Sequence, residues 1–134
     1  MILVDAGPLV AFLSRDDQYH DRVMEVFPLI REPMLTVWPV TTQVMDLLHK
    51  SLQAQDGIWE LLEDHALLIA DLDDDHRTRM RHLMRKYRDL PMDLGDAALV
   101  AVAERERISR IFTLDRRDFE VYRPTGIRRF DIIP

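Results

Sequence analysis

The chain has 134 residues, with 24 Asp and Glu against 18 Lys and Arg for a formal net charge of -6, and 47% of its residues are hydrophobic. A folded chain of this length buries roughly 65 to 70% of the surface it exposes when unfolded, so residues 1–134 are expected to form one domain around one core. Cys is absent, which excludes disulfide frameworks, thiolate zinc sites and cysteine nucleophiles. The start, Met1 to Val4 and then Asp5, offers no basic segment ahead of an apolar one, so no signal peptide is expected. No apolar stretch reaches the roughly 18 residues of a membrane span, and a cytoplasmic protein without membrane contact is the expectation.

In chain order, Met1 to Val4 reads as a short strand ending at Asp5, and Gly7-Pro8 then opens a helix, proline being tolerated in a first turn. Val23, Val26, Phe27 and Ile30 recur at helical spacing and predict a second helix from about Tyr19 to Arg31, with Pro28 interrupting its later half. Met34 to Trp38 is a β-branched and aromatic run between prolines, a strand candidate. From Val40 the spacing of Val44, Leu47, Leu48 and Leu52 is helical, and a further helix from about Gln55 to Glu63 carries Ile58, Trp59 and Leu62, with Gly57 at its junction or first turn. Ala66 to Ala70 is a strand candidate, and the polar stretch Asp71 to Asp75 leads into a basic helix whose buried stripe is Met80, Leu83, Met84 and Tyr87 and which Pro91 ends. Asp93 can cap a helix through Leu99, Val102 and Ala103; Ile111 to Thr113 is a strand ending near Asp115, and Ile127 to Ile133 closes the chain as another. Strands alternating with helices predict an α/β domain with a largely parallel central β-sheet flanked by α-helices.

The charge is unevenly distributed. Residues 1–74 hold 4 Lys or Arg and 14 Asp or Glu, whereas residues 75–134 hold 14 and 10. His76 to Arg88 contains Arg77, Arg79, Arg81, Arg85, Lys86 and Arg88 and no acid. Two readings of that run are open, a solvated helix face and a phosphate-tracking surface.

The acids carry the chemical signal. In open parallel sheets, ligands bind beyond the carboxyl ends of the strands, and Asp5 and Asp115 each follow an apolar strand at that end. As a structural alternative Asp5 caps the first helix, although Gly7 before Pro8 is the better placed cap; Asp115 has the alternative of a turn residue. Asp93 and Asp96 stand three apart at a helix start, one as N-cap and the other in the first turn, and Asp96 precedes Ala97 and Ala98, which permit close approach of another element. Asp118 is a further candidate or a surface acid. Carboxylates held close together repel unless a cation neutralises them. A hard divalent ion with oxygen ligands, Mg²⁺ or Mn²⁺, is the natural partner of such a set, and phosphodiester hydrolysis the natural reaction class.

Three ordered stretches, ILVDAGPLVAFL around Asp5, MDLGDAALVAVAER around Asp96 and TLDRRDFEVYRP around Asp115, resemble a PIN-domain nuclease, and closely a VapC-type ribonuclease toxin of bacterial toxin-antitoxin pairs. The resemblance covers nearly the whole chain. It implies a Mg²⁺- or Mn²⁺-dependent endoribonuclease in which Asp5, Asp96 and Asp115 hold the metal, with Asp93, Thr113 and Asp118 in support. An RNA substrate, a cognate antitoxin and a homodimer are implied as partners. One position departs from the pattern: in WPVTTQVMDLL the family's second acid, a Glu, falls on Gln43. An amide brings no charge and cannot act as a base, so weaker metal binding and slower cleavage are expected, with Asp46 one helical neighbour away as a partial substitute.

Two other functions compete with this one. A catalytically silent PIN-like module would hold RNA or a protein through the basic helix, and an aspartyl-phosphate enzyme on Asp5 would need an acid where Gly7 stands. The five His residues share no ligand-like spacing and are expected at surface or helix-side positions, Trp38 and Trp59 in half-buried or core packing, and Met24, Met45, Met80 and Met84 on apolar helix faces.

Overall fold

Each of the five strands is three residues long, and together they form one parallel sheet. The computed structural model describes residues 1–134. Its strands are β1 (Ile2–Val4), β2 (Met34–Thr36), β3 (Leu67–Ile69), β4 (Arg110–Phe112) and β5 (Asp131–Ile133), in the order β3-β2-β1-β4-β5. Every neighbouring pair is parallel, with Leu3 opposite both Leu35 and Ile111. The central strand β1 is wholly buried, as expected of a parallel strand covered on both faces.

Seven helices connect these strands. Helix α1 (Ala6–Leu13) begins one residue before the predicted Gly7-Pro8 start, and its N-cap is Asp5, whose side chain accepts from the Ala6 N–H. The expectation that Gly7 caps this helix is therefore corrected, because a carboxylate at the strand end reaches the first free donor and Pro8 fits inside the first turn. The predicted second helix is shorter, α2 (His20–Val26), followed by a 3-10 turn at Phe27–Leu29 where Pro28 removes a donor. Helix α3 (Trp38–Leu47) starts earlier than predicted, with Pro39 in its first turn, and α4 (Leu52–Glu63) starts at Ser51, which caps it through the Ala54 N–H. Leu52 is thus an exposed first residue of α4 and not the last of α3. Gly57 lies within α4, where a Cβ would come within 2.5 Å of Leu13 Cδ2, so the small residue lets α4 approach α1.

Helix α5 (Asp74–Lys86) is closed by a capping box between Asp73 and His76, which moves its start ahead of the predicted His76 and buries that histidine. Helix α6 (Leu94–Glu106) has every residue from Gly95 to Ala103 buried, and α7 (Arg116–Val121) forms where no helix was predicted. Of the two placements expected for the tryptophans, the structure shows the half-buried one: Trp38 and Trp59 are 53% and 48% exposed and pack against each other, ring centroids 6.4 Å apart. Met24 is likewise exposed. No helix is long and apolar enough to cross a membrane.

Candidate active site

The site is built where β1 and β4, adjacent strands, reach their carboxyl ends. Asp5 follows β1 and Thr113 follows β4, and the Thr113 hydroxyl donates to Asp5 Oδ2 at 2.8 Å while accepting from the Asp115 N–H at 3.0 Å. Asp5 Oδ1 accepts from the Ala6 N–H at 2.8 Å. Both Asp5 and Thr113 are buried, whereas Asp115, the N-cap residue of α7, is exposed. One threonine hydroxyl therefore ties the acid of the first strand to the loop that carries the acid of the fourth.

Helix α6 supplies the other acids through its N-terminus. Asp93 caps it, accepting from the Asp96 N–H at 2.8 Å. Asp96 sits in the first turn and is buried, with Oδ2 accepting from the Tyr122 hydroxyl at 2.7 Å. Tyr122 is fixed in turn by edge-on contacts with Tyr87 and Phe119, each with ring centroids 5.1 Å apart. Tyr122 was not singled out in the sequence. It lies in the stretch that carries Asp115, yet nothing in its spacing shows that it reaches back to α6.

The electrostatics bind these acids into one group. Burial, and then the charges of Asp115 and Asp93, raise the Asp5 carboxyl from the ordinary 3.8 to about 6 against the opposing hydrogen bonds from Ala6 and Thr113. Asp96 is pushed to about 8, first by burial and next by the charge of Asp5, with the Tyr122 hydroxyl pulling the other way. Asp115 is raised by burial and by the charges of Asp118 and Asp93. Asp93 is the acid felt by all three. Tyr122, buried beside Asp96, is held far above the usual phenol range and stays a donor.

Gln43 and Asp46 stand on α3 and are exposed. They line a groove of about 620 Å³ with Trp38, Thr42, Asp93 and Gly95. The Gln43 Oε1 lies 3.6 Å from where a Gly95 Cβ would stand. The groove brings these two side chains to Asp93 and the start of α6, and neither Asp5 nor Asp115 lines it. Asp118 is half-buried in the first turn of α7 beside Asp115.

No three acidic or histidine side chains approach closely enough to make a ready-made cage for a metal. The donor set nonetheless fits one kind of ion. All its members are oxygen donors, two are carboxylates made unstable as anions by burial and mutual repulsion, and Mg²⁺ binds through one or two carboxylates while keeping several waters.

The PIN domain family model matches residues 2–123, and the chain belongs to that family, as its resemblance implied. Its similarity extends to particular members. Ribonuclease VapC26 of Mycobacterium tuberculosis is 29% identical over 144 residues, an alignment covering 99% of this chain and 100% of that protein. Among solved structures, the fold is similar to that of Mycobacterium tuberculosis VapC20, described as a sarcin-ricin loop cleaving toxin, with a TM-score of 0.75, 14% identity and coverage of 83% of this chain and 87% of that one. It is also similar to a chain of a toxin-antitoxin complex from Klebsiella pneumoniae, with a TM-score of 0.70, 18% identity and coverage of 100% and 97%. At those identities the structural likeness carries the fold alone.

Proposed function

We propose that this chain is a divalent-metal-dependent endoribonuclease, the toxin of a bacterial toxin-antitoxin pair, with Asp5, Asp96 and Asp115 as its metal-holding carboxylates. The observation that carries the reading is the convergence of acids at the carboxyl ends of β1 and β4: buried Asp5 is tied through the Thr113 hydroxyl to the loop that carries Asp115, and buried Asp96, held by Tyr122, lies close enough to feel the charge of Asp5. A bound Mg²⁺ or Mn²⁺ would neutralise this group, polarise a phosphoryl oxygen and lower the pKa of its water. The chain's own residues prepare the place. Thr113 and the Ala6 N–H fix both oxygens of Asp5, Tyr122 fixes one oxygen of Asp96 in its ionised form, and Asp93 orients the helix that brings Asp96 in. Asp115, exposed at the rim, would take a proton from the water that attacks phosphorus, and the P–O3′ bond would break as solvent water protonates O3′, giving a 3′-hydroxyl and a 5′-phosphate.

The similarity to ribonuclease VapC26 supports an RNA substrate, and an antitoxin partner belongs to the same toxin reading. A homodimer and a cytoplasmic location belong to the same reading. Incubation of the protein with end-labelled single-stranded and stem-loop RNAs tests it. Cleavage is expected with Mg²⁺ or Mn²⁺, absent in EDTA and lost with Asp96→Asn; undiminished cleavage in EDTA by a metal-free preparation refutes the metal-dependent reading.

A further inference from the structure

The acidic rim poses a problem for a polyanionic substrate, because Asp5, Asp93, Asp96, Asp115 and Asp118 together repel phosphate. The compensating charge lies close by in the fold. On α5 and the turn after it, Arg77, Arg81, Arg85 and Arg88 are all exposed and follow one another at intervals of four, four and three residues. Residues spaced in this way share one helix face, and four residues of helix advance about 6 Å, a step comparable with that between successive phosphates of a strand.

Helix stability does not account for this stripe. Arg85 complements the negative end of α5, but Arg77 lies near its positive end and Arg81 near its middle, where a cation gains nothing from the helix dipole. Arg77 pairs with Asp74 at 2.9 Å. Arg81 and Arg85 make no ion pair, and Arg88 donates only to the Arg85 carbonyl oxygen at 2.9 Å. The four guanidinium groups border a groove of about 530 Å³ whose apolar wall is Met80, Met84 and Leu94. Leu94, the first residue of α6, also lines the groove that holds Gln43, Asp46 and Asp93. The basic groove and the acidic one therefore meet at a single side chain.

We propose that the outer face of α5 is an RNA-binding arm, on which Arg81, Arg85 and Arg88 hold backbone phosphates of the strand whose scissile bond lies at the carboxylate rim, with sugar and base faces against Met80, Met84 and Leu94. This inference rests on the ribonuclease reading for its direction toward the rim, but the arm's affinity for RNA is separable from cleavage. Phosphate contacts of this kind give strongly salt-dependent, sequence-tolerant binding.

The test compares wild type with the triple variant Arg81→Gln, Arg85→Gln, Arg88→Gln, using fluorescence anisotropy of a labelled single-stranded oligouridylate in EDTA, where cleavage is silent. The variant is expected to melt at the wild-type temperature and to bind about tenfold more weakly. The slope of log K against log salt should fall in magnitude by about 2, roughly 0.7 for each of three lost single-strand phosphate contacts. In Mg²⁺ its KM should rise with kcat little changed. A folded variant with wild-type affinity and salt slope overturns the proposal, and if wild type still cleaves RNA, only the arm has failed. Arginine-dependent binding by a wild type that cleaves no RNA supports the arm while removing the nuclease reading. Loss of binding to a polyglutamate peptide with RNA binding intact assigns the face to an acidic protein and also overturns the proposal.

Discussion

The hydroxyl of Tyr122 donates to Asp96 Oδ2 at 2.7 Å across 26 residues of sequence, and both side chains are buried. This bond favours the ionised form of a carboxylate that burial and Asp5 push toward protonation. Tyr122→Phe keeps the ring contacts and deletes only the donor. A hydrogen bond to a charged group contributes roughly 1.5–3 kcal/mol, so metal affinity and cleavage should fall roughly tenfold or more. Protons then compete with the metal up to a higher pH, and the acid limb of the pH-rate profile should move upward. An unmoved limb would show that Tyr122 only packs.

Metal-free stability should decline as pH rises across the neutral range. Folded Asp5 and Asp96 hold protons up to about 6 and about 8, against 3.8 for the ordinary group. Below about pH 4 both folded and unfolded chains are protonated there and no penalty applies; above it the unfolded chain releases protons first and is favoured progressively until the folded groups ionise. Glu104, held low by Arg79 against its burial, acts with the opposite sign, but its contribution is lost only below its ordinary 4.5. Thermal melts in EDTA should therefore give a lower Tm at pH 8 than at pH 5. Mg²⁺ or Mn²⁺ should restore it, and Asp96→Asn should flatten the decline while raising the metal-free Tm at pH 8. A Tm independent of both pH and metal would remove the repulsive cluster from the account.

Gln43→Glu adds a third carboxylate to the groove that already holds Asp46 and Asp93. We expect tighter Mn²⁺ binding by calorimetry and faster cleavage, each of the order of tenfold, about 1.4 kcal/mol. A well-folded Gln43→Glu protein that cuts no RNA would leave the silent binding module as the better reading.

Thr113→Val preserves shape in a fully buried position while leaving Asp5 Oδ2 and the Asp115 N–H without their partner. Unsatisfied buried groups cost about 1–3 kcal/mol each, so urea unfolding should register a loss of at least about 1 kcal/mol. Thr113→Ser should be nearly neutral, because the hydroxyl remains. Equal losses in both variants would point to the methyl group instead of the bond.

The strand-end acids were legible because each terminates a short apolar run, and the parallel order follows from strands separated by helices. Residue-level detail was less visible. Asp5 caps α1 as well as being a proposed site acid, a combination that no spacing reveals, since Gly7-Pro8 carries the stronger local helix-start signal. Trp38 looked like the end of a strand because its aromatic bulk continues the apolar run from Met34, while it is the half-exposed first residue of α3. His76 looked like a surface residue because its charged neighbours mask the capping box that buries it. The link from Tyr122 to Asp96 depends on tertiary packing and has no local signature.

Helix α6 carries a consequence for the protein's tolerance of change. From Gly95 to Ala103 it has no solvent side, so exchanging each residue in turn should show nine consecutive sensitive positions with no 3.6-residue rhythm, whereas α5 should alternate between permissive and intolerant faces. Asp96 belongs to the intolerant run. Its surroundings leave sequence drift little room to reposition it, and adaptation toward new RNAs should accumulate on the exposed elements around it, with the carboxylate itself left in place.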